Sequence, residues 1–194
     1  MKKSYRRADI MQAALELIAE RGFHATTMAE IAEKAGMAVG TIYRYFDNKD
    51  MLITELHQEL EEKVMKVLHD GYPLEKSIRE RFFYMFRESL QYLIVRPLHF
   101  RYMEQYFNSP YGISMRRDGL FGKHGNHDDQ DILMEIFDEG ISHQILKDFP
   151  VVVLFSLAIG PMISLIRNHT LGIVTLDEAL IKQITKACWD GIKR

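Results

Sequence analysis

Residues 25–50, ATTMAEIAEKAGMAVGTIYRYFDNKD, constrain this chain more than any other stretch. They allow two short helices joined by a tight turn, followed by the start of a third. Thr27 with Glu30 three residues on forms a capping box. Met28, Ile31, Ala32 and Ala35 recur at helical spacing on one face. Gly36 ends that helix, because glycine tolerates the left-handed conformation that a helix terminus needs. A brief apolar turn, Met37-Ala38, leads into residues 39–46. A helix there points Ile42 and Phe46 inward, and turns Gly40, Thr41, Tyr43 and Arg44 to the other side.

The outward set is an odd surface for a plain helix. It holds small residues, a hydroxyl, phenols and a cation, with no carboxylate between Glu33 and Asp47. Arginine pairs bidentately with guanine, and threonine or tyrosine reaches phosphate oxygens. Lys49 adds a further sign. With Asp47 as the N-cap of the next helix, Lys49 stands in its first turn, where the dipole disfavours a cation. A phosphate lying against that turn makes sense of the lysine.

This segment resembles the DNA-binding domain of TetR-type transcriptional repressors. The resemblance rests on Thr27, Ile31-Ala32, Ala35-Gly36, Gly40-Thr41-Ile42-Tyr43, Tyr45-Phe46, Lys49 and Leu52, in the first quarter of the chain. It implies an all-α fold: an N-terminal three-helix helix-turn-helix domain over residues 1–49, and a helical ligand-sensing and dimerisation domain over residues 50–194. It also implies a homodimer that binds a near-palindromic operator, with two heads in successive major grooves. Thr27, Tyr43 and Lys49 are then expected to hold phosphates, while Val39, Gly40, Thr41 and Arg44 approach base edges. The chain departs from the family at Ala38, where a serine or threonine is usual. Alanine neither caps a helix nor donates to a phosphate. The competing reading is an ordinary helical hairpin packed in a core, since helix-turn-helix shapes recur without DNA.

Charge supports contact with DNA at one end only. Residues 1–50 carry eight Lys/Arg against seven Asp/Glu, and residues 51–194 carry seventeen against twenty. A single cysteine, Cys188, excludes an internal disulfide and suits a reducing compartment. No apolar run follows Met1-Lys2-Lys3, and the apolar run at residues 151–166 reads as too short for a bilayer and holds Pro161. A cytoplasmic protein without membrane contact is expected.

Along the chain, residues 1–4 read as a loose basic tail, with Lys2, Lys3, Arg6 and Arg7 as candidates for the DNA backbone. Residues 5–20 form an amphipathic helix carrying Ile10, Ala13, Ala14, Leu17 and Ile18, which Gly22 ends. Phe23 is expected to pack beside Ile31, Ile42 and Phe46. Residues 47–70 read as one long helix with Leu52, Leu56 and Leu60 on its apolar face, joining the two parts rigidly and carrying a signal between them. Residues 74–95 and 97–107 are helices crowded with Phe, Tyr and Met. Such stripes are usually core, but here they also read as the wall of a pocket for an apolar or planar effector: Phe82, Met85, Phe86 and Ser89 on one helix, Tyr102, Met103, Tyr106 and Phe107 on the next.

Residues 113–131, punctuated by glycines, read as a loop. His124, His127, Asp128, Asp129 and Asp131 carry the right chemistry for zinc or manganese. Their spacing gives no scaffold and no second motif completes a ligand set, so neither metal nor cofactor is expected. A helix follows from Asp131 to about Leu146. Residues 151–168 are apolar nearly all round, and residues 176–192 carry Ala179, Leu180, Ile184, Ala187 and Cys188. A helix apolar on every side must be covered on every side. In the light of the resemblance, 151–169 and 176–192 are the pair that builds the dimer. No Gly-rich phosphate loop, Ser/His/Asp arrangement, HExxH or CxxC is present, so no enzyme is expected. The rival readings are a helical-bundle enzyme with a His/carboxylate site, a module that binds a protein groove, and a DNA-binding regulator without a small-molecule ligand.

Overall fold

A computed structural model describes residues 2–113 and 132–194, with the backbone alone for residues 2–5. The expected loop at 113–131, with His124, His127, Asp128, Asp129 and Asp131, lies outside the described residues apart from Ile113. Ten helices are described in full, and no strand is found among the described residues. They are α1 Lys2–Arg21, α2 Met28–Lys34, α3 Val39–Ile42, α4 Lys49–His69, α5 Ile78–Ile94, α6 Pro97–Phe107, α7 Ile132–Ser142, α8 Val151–Ala158, α9 Gly160–Thr170 and α10 Glu178–Ile192. The chain divides into two compact units, Met1–Lys63 with Arg96–Arg116, and Val64–Val95 with Arg117–Arg194.

In the first unit, α1 begins at Lys2, so the expected loose tail at residues 2–4 is helical. No glycine or proline interrupts it before Gly22. Ile10, Ala14 and Ile18 face a core shared with Ile31, Ala32, Ile42, Phe46, Leu52, Ile53, Leu56 and Leu60. Gly22 ends the helix at φ +83°, and its N–H donates to the Ile18 carbonyl at 2.8 Å. A helix end leaves carbonyls without partners. Here α6 supplies one: Gln105 Nε2 donates to the carbonyls of Ile18 at 2.9 Å and Ala19 at 3.3 Å. A Cβ on residue 22 would stand 2.7 Å from Gln105 Oε1 and displace the end of that side chain, and the positive φ is what requires glycine. Pro97 opens α6 at its first turn, as its spacing predicts. The Tyr102 hydroxyl, fully buried, donates to the Ile53 carbonyl at 3.1 Å. Phe23 joins the expected core and meets the rings of Tyr102 and Tyr106 edge-on at 5.6 and 6.2 Å.

In the second unit, α5 starts at Ile78 and not near Leu74, because Ser77 and Glu80 form a capping box there. Its buried face packs on α7, α9 and α10. Phe82 lies 5.5 Å from the ring of Trp189 on α10. Gly140 does not interrupt α7. It is buried within it, and a Cβ there would fall 2.5 Å from Leu146 Cδ1. The chain end is tied by an antiparallel bridge between Leu146 and Lys193, with Lys147 N–H donating to Ile192 O at 2.9 Å. Cys188 is buried, and burial pushes its thiol up to about 11, which keeps it protonated at neutral pH.

The expected single helix at 151–168 is divided into α8 and α9 around Ile159. Pro161 lacks an N–H, so the ladder loses a bond where the two segments meet. By length and composition alone, Val151–Thr170 is long and apolar enough to cross a membrane. That exceeds what the shorter run 151–166 suggested. Only 28% of its most apolar window is buried, and Val152, Val153 and Leu157 stay open on α8.

Gln105→Ala removes the cap on α1 without touching its apolar face. Net hydrogen-bond worth of about 1 kcal/mol sets the expected loss of stability, read as a lower urea midpoint of helical circular dichroism. An unchanged midpoint would show that the contact carries no stability.

Candidate nucleic-acid interface

The segment that follows Gly36 is built on two buried anchors. Gly36 closes α2 at φ +67°, and Met37 N–H reaches back to the Ala32 carbonyl at 2.9 Å. The capping box at the other end of α2 forms as the spacing predicts: Glu30 N–H donates to Thr27 Oγ1 at 3.2 Å, and Thr27 N–H to Glu30 Oε2 at 2.8 Å. Those bonds hold the Glu30 carboxyl below its usual range, with the Thr27 hydroxyl the largest cause and Arg21 and Lys49 adding to it.

Residues 39–46 were expected as one helix, but α3 is regular only over Val39–Ile42. Ala38 stands at the N-cap with no side-chain bond, as alanine must. Val39, Thr41 and Ile42 are β-branched and Gly40 is flexible, all weak helix formers. Beyond them the chain tightens into three-residue turns, with Arg44 N–H to Thr41 O at 3.2 Å and Tyr45 N–H to Ile42 O at 2.8 Å. Ile42 and Phe46 are fully buried.

Around those anchors, Tyr43 is 50% exposed and Val39 39% exposed, and Gly40 and Arg44 are open to solvent. Thr41 is half-buried at the edge of the same face. Five of the seven expected DNA-contacting residues therefore share one short surface. Gly40 has no positive φ, and a Cβ built on it meets nothing within 4 Å. Neither the backbone nor the packing of this chain requires glycine there.

The surrounding cations are mostly engaged. Arg7 joins Glu55 at 2.7 Å and Glu59 at 3.3 Å, and its guanidinium lies 5.7 Å from the centre of the Phe46 ring, fastening α1 to α4. Lys34 pairs with Glu16 at 2.9 Å. Arg44 has no ion-pair partner among the described residues.

The other two expected phosphate ligands are differently employed. Thr27 donates its hydroxyl proton to Glu30 Oε2 at 2.8 Å, so its hydroxyl serves the cap. Lys49 is half-buried, and its Nζ donates to the Phe23 carbonyl, bracing the loop between α1 and α2. The cap of α4 falls on Asn48, one residue after the expected Asp47: Met51 N–H donates to Asn48 Oδ1 at 2.8 Å. Next to Lys49, Asp50 accepts from the Tyr111 hydroxyl. Burial first, and then that carboxylate, push the Tyr111 phenol up to about 12. Sequence spacing carries no sign of Tyr111 or Gln105, whose partners lie 61 and 87 residues away.

The expected pocket residues fall in both units. Phe82, Met85, Phe86 and Ser89 are buried along α5 in the second unit. In the first unit Tyr102 and Tyr106 are buried and Met103 and Phe107 half-buried on α6. Beside that second group stands His57, which the sequence reading did not single out. It is 3% exposed and stacks on Tyr106 at 3.5 Å, with Nε2 3.1 Å from Glu61 Oε1 but out of line for a hydrogen bond.

Comparison with known proteins agrees with the fold. Residues 10–56 match the profile described as bacterial regulatory proteins, tetR family, and residues 77–193 match the profile described as tetracyclin repressor-like, C-terminal domain. The fatty acid metabolism regulator protein of Bacillus subtilis (strain 168) is 48% identical over 50 residues, 26% of each chain. The HTH-type transcriptional repressor KstR2 of Rhodococcus jostii (strain RHA1) is 43% identical over 54 residues, 28% of this chain and 26% of that one. The chain thus spans about a quarter of the length of these curated relatives. A crystal structure of a TetR family transcription regulator from Marinobacter aquaeolei VT8 superposes with a TM-score of 0.84 over 99% of this chain and 97% of that one, at 22% identity.

The open side of Gly40 yields a test that separates folding from recognition. Alanine favours a helix over glycine by about 1 kcal/mol, so Gly40→Ala is expected to leave the melting temperature unchanged or slightly raised. If a duplex approaches this face, the added methyl lowers affinity at least ~10-fold, within the range of one lost base-edge contact. Equal binding by both proteins in fluorescence anisotropy would remove residue 40 from the interface.

Proposed function

The chain belongs to the TetR family of bacterial regulatory proteins, and from that membership we propose a dimeric transcriptional repressor that releases its operator on binding a small, largely apolar effector. The observation that carries the DNA-binding half is the α3 segment: Tyr43, Arg44, Gly40 and Val39 stand open to solvent directly over the buried pair Ile42 and Phe46. Folding has used the inner side chains and left the outer ones free for a partner. On a duplex, Arg44 reads a base edge, Val39 lies against a thymine methyl, and Tyr43 donates to a phosphate. Lys49 keeps two further N–H donors beyond its bond to Phe23 and lies in the first turn of α4, where a phosphate adds to the helix-dipole field. Thr27 contacts a phosphate only by turning toward it the hydroxyl proton it now donates to Glu30. The site of action is the cytoplasm, where the operator is.

Dimerisation is supported by two open seams in the second unit. On α8 and α9, Val153, Leu157, Gly160 and Ser164 follow one another at helical spacing, each exposed or half-buried. On α10, Leu180, Ile184, Ala187 and Gly191 do the same. A Cβ at Gly160 or Gly191 would meet nothing within 4 Å, so a second copy's backbone has room to approach closely there. Spacing of this kind suits a helical bundle across a two-fold axis. The effector's apolar character is supported by the buried Phe, Met and Tyr of α5 and α6, and by the name of one relative, a regulator of fatty acid metabolism.

Anisotropy against DNA flanking the coding region, over a range of salt, tests the interface. Arg44→Ala is expected to relax preference at particular base pairs by about 1–3 kcal/mol. Lys49→Met, which keeps the aliphatic stem, is expected to weaken all sequences alike and flatten the salt slope by about one unit. A uniform loss for Arg44, or an unaltered slope for Lys49, reverses the assignment of that residue.

The dimer seam has its own test in analytical ultracentrifugation. Leu157 is 40% exposed in the single chain. Leu157→Glu is therefore expected to keep its helical circular dichroism while shifting the sedimenting species from dimer to monomer. A dimer that survives the charge would place the contact elsewhere.

A further inference from the structure

Lys49 and Asp50 are neighbours in the first turn of α4, and each is held by a different stretch of the first unit. Lys49 Nζ donates to the carbonyl of Phe23, and Asp50 Oδ1 accepts from the Tyr111 hydroxyl. The two holders touch each other, since the rings of Phe23 and Tyr111 lie 5.8 Å apart. Lys49, Phe23, Tyr111 and Asp50 therefore close a circuit of contacts between stretches that are distant in the chain.

The chain beyond α6 is shaped to bring Tyr111 there. Ser109 Oγ donates to the Tyr106 carbonyl at 2.6 Å, and Ile113 N–H donates to the Ser109 carbonyl at 3.0 Å. Gly112 comes so close to the end of α6 that a Cβ on it would fall 2.2 Å from Tyr106 O and 2.6 Å from Phe107 Cα. Both are backbone atoms, so a side chain is excluded at residue 112. The tight return stacks the Tyr111 ring on Tyr106 at 6.2 Å with its hydroxyl on Asp50.

The carboxylates near Lys49 are occupied by other donors. Asp50 accepts from Tyr111, and Glu30, close enough to feel the ammonium, accepts from the hydroxyl and the N–H of Thr27. Among the described residues Lys49 makes no ion pair, and the bond it does make is to a neutral carbonyl. Its charge is thus left for a partner. A lysine stem carries much rotamer freedom, and fixing it before the partner arrives lowers the cost of binding. The Tyr111 phenol, pushed up to about 12 by burial first and then by Asp50, stays a donor through neutral pH.

We propose that Tyr111 is a positioning residue for the phosphate contact of Lys49. Its hydroxyl holds the first turn of α4 through Asp50, and its ring backs the Phe23 loop whose carbonyl orients the ammonium. The role needs no contact between Tyr111 and nucleic acid. This deepens the DNA-binding reading given above and rests on it.

Phosphate contacts are blind to sequence, so the test needs no known operator. Anisotropy is read over a range of salt with two labelled duplexes, the DNA flanking the coding region and a scrambled duplex of the same composition. Tyr111→Phe keeps the ring and loses the hydroxyl. It is expected to weaken both duplexes alike by ~5-fold, the worth of one net hydrogen bond, and to flatten the salt slope as Lys49→Met does. Added to Lys49→Met, it is expected to cost nothing further, because both act through one contact. Asp50→Asn and Asp50→Ala both discard the charge, but only asparagine keeps an oxygen for the phenol. The alanine variant is expected to bind ~5-fold more weakly than the asparagine variant. Circular dichroism checks each fold; should Tyr111→Phe unfold, the Asp50 pair decides. Wild-type affinity in Tyr111→Phe would overturn the proposal. So would a loss confined to particular base pairs, equal binding by the two Asp50 variants, or a loss that adds in full to that of Lys49→Met, the result expected of a purely structural role. Wild-type binding that Lys49→Met leaves untouched would remove this proposal alone. No binding of either duplex by the wild type would remove it together with the DNA-binding reading.

Discussion

Four residues cannot hold a helix by backbone bonding alone, since nucleation is unfavourable and propagation has barely begun. Val39–Ile42 keeps its shape because Ile42 and Phe46 are sunk in a core made by α1, α2 and α4. Ala38 contributes nothing to the start of that helix, and the residues within it are weak helix formers. The burial of two side chains therefore fixes everything the segment presents. Arg7 reinforces it from outside, joining α1 to α4 while its guanidinium rests over Phe46. The gain is specificity of placement: an interface whose inner half is rigid can hold Tyr43 and Arg44 at a set height above the protein surface.

Much of this was legible in the chain because it depends on neighbours in sequence. The capping box at Thr27, the stop at Gly36, the inward pair Ile42 and Phe46, and proline at the start of α6 all follow from spacings of one to four residues. What could not be read depends on distant partners. Gln105 caps α1 from 87 residues away, and Lys49 turns to the Phe23 carbonyl. Local rules that compete also misled. Asp47 and Asn48 are both good caps, and only the tertiary path of the chain chooses Asn48. The helix at 151–168 is uniform in hydrophobicity, yet the missing N–H of Pro161 divides it.

The aromatic stripe shows the same limit in another form. Periodicity puts Phe82 and Tyr102 alike on apolar faces of successive helices. It does not say that Tyr102 belongs to the core beneath α3, where its hydroxyl bonds to Ile53 and its ring meets Phe23. Residues that look like one wall in sequence serve two interiors. Composition identifies a ring as buried material; which core receives it is decided by loop closure and helix crossing.

Folding satisfies most groups of this chain and leaves a few that it could have satisfied. Gly40 stands where alanine would fit, and Val153 and Leu157 stay open on a helix that buries Leu154 and Ala158. Sequences that fold well agree with their structures at every level, and departures concentrate where something other than folding is being served. Each departure here has a distinct chemistry: a gap beside a cation and a phenol, and an apolar seam with small residues. A nucleic acid for the first and a second copy of the chain for the second are the partners we propose, and no one partner could serve both.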